Sequence, residues 1–280
     1  KVHCEVDASG VAILTLDNPP MNALHPTVLM ELFEKLADCQ KNERVKAILI
    51  TGASGKFTAG FDVQVFRDTG SDMDALTLDV NNVFNEMIES GAKPTVAAID
   101  GICLGGGCEL AIACNARVCT PVSRIGLPEL QLGIIPGFGG TQRLPRLVGL
   151  KKGLEMMLTS KPLSAKDALQ NGLVDEVVPK ESLISAAKII ARDLVDGLRP
   201  RLFTLERTDR LEPYSEALQV FDFAHMQSTK QAPALQHPHF CIDAVRYGIE
   251  HGGHEGLMKV RKSRAVRLPI GFAAGENVFC

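Results

Sequence analysis

No excess of basic charge marks this 280-residue chain, whose 30 Lys+Arg stand against 33 Asp+Glu for a net charge of −3. A nucleic-acid-binding domain normally has a pI above about 9, and the value here is 6.2, so nucleic-acid binding is not expected. The eight cysteines include no Cys-x-x-Cys pair. Four of them, Cys103, Cys108, Cys114 and Cys119, lie in apolar segments, which suits buried free thiols better than a disulfide framework or a zinc site. There is no Asn-x-Ser/Thr sequon and no uninterrupted apolar span, since the longest stretch, Val96 to Cys114, contains Asp100 and Glu109. The basic residues Lys259, Arg261, Lys262, Arg264 and Arg267 read as the solvated face of a C-terminal helix.

Familiar nucleotide and hydrolase motifs are also missing. Gly137-Phe138-Gly139-Gly140-Thr141-Gln142 starts like a dinucleotide fingerprint, but Gln142 stands where the closing glycine belongs and no strand directly precedes it. The chain has no Gly-x4-Gly-Lys-Ser/Thr, no His-Glu-x-x-His and no Gly-x-Ser-x-Gly. A cofactor-free enzyme is the reading these absences leave.

What is present is hydrophobic order and glycine. Composition is that of a globular chain, 45% hydrophobic and 22% charged. Val11 to Leu16, Val45 to Ile50, Thr95 to Ile99, Ala116 to Thr120 and Leu173 to Val178 read as strands. Helices are predicted after Pro26, from Leu76 through Ile88 with Gly91 as C-cap, over Cys108 to Cys114, and over Ile184 to Leu194. Ser164 with Asp167 resembles a capping box. Alternating strands and helices imply an α/β architecture. A main α/β domain is expected over residues 1–198, followed by a helical part over 199–280 that is helical to about Arg264.

Eight of the 25 glycines fall between Gly105 and Gly140, and two carboxylates stand among them. Glu109 follows Gly105-Gly106-Gly107-Cys108, and Glu129 follows Leu127-Pro128; both are in apolar company, where an unpartnered charge is costly. Two carboxylates sharing an apolar pocket have their proton affinities pushed apart, as acid/base chemistry requires. Alternatively each caps a helix or pairs with a base such as Arg117 or Arg143. A triple glycine entering a helix presents main-chain N–H groups to developing negative charge. A second donor is available from the loop Lys56 to Asp62, and the combination points to enolate chemistry.

The sequence resembles the crotonase superfamily, that is, the enoyl-CoA hydratase/isomerase family. The matching segments are Asn18-Pro19-Pro20-Met21-Asn22-Ala23-Leu24, Phe57 through Asp62, Ala98 through Ala111 and Leu127 through Leu144. The wording is most similar to the N-terminal hydratase part of plant-type peroxisomal multifunctional β-oxidation proteins. The resemblance implies a spiral of ββα units with a helical C-terminal part. It implies an oxyanion hole made by the N–H groups of Phe61 and Gly106, and Glu109 and Glu129 as the acid/base pair. Ala59, Gly60, Asp62, Gly105 and Gly137 are implied as substrate-binding residues, and the helix from Asp72 to Ser90 as lining for the acyl tail.

The implied reaction is hydration of trans-2-enoyl-CoA, with no cofactor because CoA is part of the substrate. Retention of both carboxylates favours hydratase over Δ3,Δ2-enoyl-CoA isomerase; a non-catalytic acyl-CoA-binding subunit is the reading from another class. The resemblance also implies a homotrimer or hexamer, which fused relatives need not form. A peroxisomal location is expected from resemblance alone, with mitochondrial and cytosolic alternatives, because the chain ends Val278-Phe279-Cys280 and not in Ser-Lys-Leu.

Overall fold

The computed structural model describes residues 1–62 and 80–261. Two sheets organise it. The larger contains β1 (Val2–Val6), β2 (Val11–Leu16), β3 (Ala47–Gly52), β4 (Thr95–Ile99), β6 (Ala116–Cys119) and β9 (Glu176–Val177), in the order β1-β2-β3-β4-β6-β9. Only β1 runs antiparallel to its neighbour. The smaller contains β5 (Ile102–Leu104), β7 (Arg124–Gly126) and β8 (Leu163–Ser164).

Because side chains alternate across a strand, the apolar runs of β2 to β6 supply two cores at once. Val11, Ala47, Leu49, Val96, Ala98, Ala116 and Val118 face a helix that contributes Leu183, Ala187, Ile190, Ala191 and Leu194. Their neighbours Ala12, Leu14, Leu16, Ile48, Ile50, Ala97, Ile99 and Cys119 face the opposite side and join the main core. Burial on both faces is what a continuous apolar strand encodes.

The helices are α1 (Pro26–Lys41), α2 (Gly106–Ala113), α3 (Gly140–Val148), α4 (Leu150–Thr159), α5 (Ala165–Gln170), α6 (Leu183–Val195), α7 (Tyr214–Gln231), α8 (His237–His251) and α9 (Gly253–Arg261). Ala217, Phe221 and Ala224 of α7, and Cys241, Ile242 and Val245 of α8, enter the same core as Leu144 and Leu147 of α3. Two long-range contacts lock α3 to α8: Gln142 Nε2 donates to the Ala244 carbonyl at 2.9 Å, and an Arg146 guanidinium N–H donates to that of Gly248 at 2.7 Å.

Several expectations shift in detail. The segment expected as a strand over Leu173 to Val178 pairs only at Glu176–Val177. The Leu173 N–H is already committed to the Ala168 carbonyl at the end of α5 (2.8 Å), and its carbonyl accepts from Arg117 Nε. Ser164 does cap α5, accepting from the Asp167 N–H and donating to its carboxylate. The helix expected from Leu76 lies outside the described residues as far as residue 79; its last part is a π-helical turn, Phe84–Glu89, ending at Ser90. Gly91 is not its left-handed cap. A Cβ there would lie 2.5 Å from the Met87 carbonyl oxygen and would also meet the Gln40 amide that donates to that oxygen at 2.7 Å. The C-terminal helix is described to Arg261, so the expected continuation to Arg264 lies outside the described residues.

The cysteines among the described residues are free thiols, with Cys103, Cys108, Cys114 and Cys119 all buried. Among the described residues no helix is long and apolar enough to cross a membrane, and no group of three His, Cys, Asp or Glu side chains is placed to hold a metal ion.

Candidate active site

The loop after β3 is braced by the segment Asn18 to Leu24. Asn22, held at φ +52°, donates its amide hydrogens to the carbonyls of Ala53 (2.9 Å) and Lys56 (2.8 Å) and accepts the Asn18 N–H at 3.0 Å. The Ala59 N–H donates to the Met21 carbonyl and the Leu24 N–H to that of Gly60. These bonds carry the loop across to β5. There Thr58 bridges Cys103 in parallel fashion, and the Leu104 N–H donates to the Thr58 carbonyl at 3.1 Å.

Two glycines allow this loop to touch the start of α2. Gly60 has φ +94°, and a Cβ on it would lie 2.6 Å from the Leu104 carbonyl oxygen and 3.1 Å from the Gly106 nitrogen. A Cβ on Gly106 would lie 2.1 Å from the Phe61 ring. The first residues of α2 have no carbonyl one turn back, so their N–H groups and the positive end of the helix dipole face the loop. Phe61 stacks on Phe138 with ring centroids 4.2 Å apart.

Glu109 lies in the first turn of α2 and is 1% exposed. Its Oε1 accepts the Phe138 N–H at 2.8 Å and the Gly140 N–H at 2.7 Å. Gly140 is the first residue of α3, and its N-cap Gly139 offers no side-chain acceptor. Glu109 therefore caps α3 from a neighbouring helix. Burial raises its pKa to about 7, opposed by the two N–H donors and by the charge of Arg143.

Glu129 opens the 3-10 turn Glu129–Leu132 and is also buried. Neither of its carboxylate oxygens has a hydrogen-bond partner among the described residues. Burial, and then the negative charge of Glu109, push its carboxyl well above the usual range. One carboxyl thus has the environment of an anion and the other that of a neutral acid.

The pairing alternative from sequence does not hold. Arg143 pairs with Glu89 at 2.6 Å, and Arg117 lies 3.7 Å from Asp175. The remaining expected residues fall around the same junction. Gly105, at φ +53°, places its α-carbon side toward Glu129, because a Cβ there would lie 3.5 Å from Glu129 Oε1. The Gly137 carbonyl accepts from Asn81 Nδ2 at 3.1 Å. Ala59, Gly60 and Asp62 lie along the loop, Asp62 at the edge of the described segment. Of the expected tail-lining helix, Asp72 to Ser90, residues 72–79 lie outside the described residues and 80–90 within them. An open groove of about 730 Å³ beside α1, lined by Met30, Phe33 and Val83 among others, contains neither Glu109 nor Glu129.

Sequence reasoning missed Glu89, a 1%-exposed carboxylate; an acidic residue directly after Met87-Ile88 in an apolar helix was the available signal. It also missed Cys241, a buried thiol of α8 that feels the charge of Glu129.

Comparison with known proteins bears on the fold and on the family. The family model for enoyl-CoA hydratase/isomerase matches residues 7–216. The chain belongs to the enoyl-CoA hydratase/isomerase family. Within that family it is 50% identical over 259 residues to a glyoxysomal fatty acid beta-oxidation multifunctional protein of Cucumis sativus, matching 91% of this chain and 36% of that protein. It is 46% identical over 274 residues to a peroxisomal multifunctional protein of Arabidopsis thaliana, matching 96% of this chain and 38% of the relative. The chain thus spans little more than a third of these relatives. Among solved structures, an enoyl-CoA hydratase from Bacillus anthracis superposes with a TM-score of 0.66 at 29% identity, covering 94% of this chain and 97% of the other. Pseudomonas aeruginosa DspI gives the same TM-score at 27% identity, covering 88% and 95%. These neighbours share the crotonase fold, an α/β architecture with a helical C-terminal part.

Proposed function

We propose that this chain hydrates trans-2-enoyl-CoA thioesters to 3-hydroxyacyl-CoA in fatty-acid β-oxidation. The carrying observation is the asymmetry of the two buried carboxyls. Glu109 receives two main-chain N–H donors and Glu129 none, which suits an ionised base beside a protonated acid.

In this reading the N–H groups of Phe61 and Gly106 polarise the thioester carbonyl. Glu109 takes a proton from water as its oxygen bonds to C3. The C2=C3 electron pair moves into the carbonyl, giving an enolate held at the two N–H groups. Glu129 then delivers its proton to C2 as the enolate collapses. Addition consumes one water, and transfer of a proton from Glu109 back to Glu129 resets the pair. No cofactor takes part, since CoA belongs to the substrate. Ala59, Gly60, Asp62, Gly105 and Gly137 shape the thioester end of the site. The glyoxysomal and peroxisomal relatives support a peroxisomal location.

The test is loss of enoyl-thioester absorbance with crotonyl-CoA. Turnover in the parent protein, abolished by Glu109→Gln and by Glu129→Gln, is the expected result. An inactive parent that still binds CoA would overturn the reading in favour of a binding subunit.

A further inference from the structure

The strongest cluster outside the proposed acid/base pair lies directly behind Glu109. Arg143 of α3 is fully buried, and Glu89, at the end of the π-helical turn, is nearly so. Arg143 Nε donates to Glu89 Oε2 at 2.8 Å, and a terminal guanidinium nitrogen stands 2.6 Å from the same oxygen. The other terminal nitrogen donates to the Phe138 carbonyl at 3.3 Å, while the Arg143 N–H donates to the Gly139 carbonyl at 2.8 Å. Glu89 Oε1 accepts the Leu205 N–H at 2.7 Å. Phe138 is therefore gripped on two sides: its carbonyl accepts from Arg143, and its N–H donates to Glu109.

Buried ion pairs are poor devices for stability, because desolvation offsets much of the attraction. An apolar pair of similar volume would fill this space, but it would neither hold the Phe138 carbonyl nor place a positive charge behind Glu109. We propose that Arg143, held in place by Glu89, is a positioning residue that fixes the 138–140 turn and sets the ionisation of Glu109. The proposal rests on the reading of Glu109 as the base. Its charge effect agrees with the lowering that Arg143 exerts on the Glu109 carboxyl. Cys114 after α2 feels Arg143 and Glu89, and Arg146 on α3 feels Glu89; on the other side Glu129 of the 3-10 turn feels Glu109, and Cys241 of α8 feels Glu129.

The two members of the pair act on Glu109 with opposite sign. Glu89→Gln removes a negative charge that partly cancels Arg143, keeps one of the two acceptor oxygens, and is expected to move the acid limb of the kcat/KM–pH profile to lower pH. Glu89→Gln/Arg143→Gln removes the positive charge too and is expected to move that limb above the parent's, with kcat reduced by up to ~10²-fold through misplacement of Glu109. Arg143→Lys keeps the charge but not the planar fork, so kcat falls while the limb stays near the parent's.

Thermal melts identify any variant that does not fold, and the variants that do fold decide, since each carries its own expected direction. An acid limb unmoved in the folded charge variants, or a parent-like kcat in Arg143→Lys, would overturn the proposal. Glu109→Gln run alongside separates the layers: parent-like turnover there removes the base assignment itself, whereas its loss with unmoved limbs removes only the role of the pair.

Discussion

Glu109 and Glu129 share one buried junction, yet Glu109 Oε1 accepts two main-chain N–H bonds while both oxygens of Glu129 go unpartnered among the described residues. The difference comes from neighbouring elements: α3 aims its N-terminal N–H groups at the first carboxylate, and the 3-10 turn aims nothing at the second. Identical side chains thereby acquire different proton affinities, and titration of either is felt by the other.

The pH dependence of hydration should be a bell. Glu109, raised to about 7, must be ionised, so kcat/KM rises with pH through that region. Glu129, held well above the usual carboxylate range by burial and by the Glu109 charge, must keep its proton, so activity falls again as pH rises through the region where it ionises. Steady-state assays from pH 5 to 10 measure both limbs, and a flat profile across pH 6 to 8 would contradict the assignment of Glu109.

Glu109→Gln and Glu129→Gln should each lower kcat by ~10²–10⁴-fold, the usual size of an acid/base contribution, with the fold intact by circular dichroism. A loss below tenfold in either variant would argue that the carboxylate is structural.

Stability should move in the opposite direction to activity for one of these variants. Both carboxyls have folded-state pKa values above the 4.5 of a free glutamate. Their contribution is therefore fully present below about pH 4.5 and is lost as pH rises through the raised values. Glu129→Gln should raise Tm relative to the parent at pH 8, with the gap narrowing at pH 5. Equal gaps at the two pH values would show that Glu129 is not held neutral in the fold.

Gly60→Ala should damage the oxyanion region, since its Cβ meets the Leu104 carbonyl oxygen at 2.6 Å at a φ of +94°. Displacing the loop from Gly106 should cost about 10²–10³ in kcat, the loss seen when an oxyanion donor is removed. Asn22→Ala tests the same loop from its other end: two amide donors to Ala53 and Lys56 disappear, costing about 1–3 kcal/mol if the carbonyls stay unsatisfied. Urea denaturation measures that difference, and an unchanged midpoint in Asn22→Ala would remove the claim that these bonds hold the loop.

Strands β2, β3, β4 and β6 were legible because they are mostly apolar and buried on both faces, with Arg117 the one charge among them. β1 was not, because it is an edge strand with His3, Cys4, Glu5 and Val6 exposed, so no periodicity marks it. β5, β7 and β8 are two or three residues long, too short to carry a pattern. Glu109 and Glu129 stood out as charges in apolar segments. Their inequality could not be read, because it depends on Phe138 and Gly140, whose N–H groups look the same in any sequence. Gly91 misled for a related reason: a glycine after a helix suggests a left-handed cap, and only the packed structure reveals the Gln40 amide beside it.

The bonds from Gln142 to Ala244 and from Arg146 to Gly248 each span 102 residues. They anchor the helix whose first N–H holds Glu109, so the environment that tunes this carboxylate is completed by chain that emerges from the ribosome long after the carboxylate itself. During synthesis the β-sheet core has its strands before α8 exists. A nascent chain released at residue 200 would carry every residue of the proposed chemistry and still lack the anchor of α3. Turnover should therefore first appear in release intermediates that extend past His251.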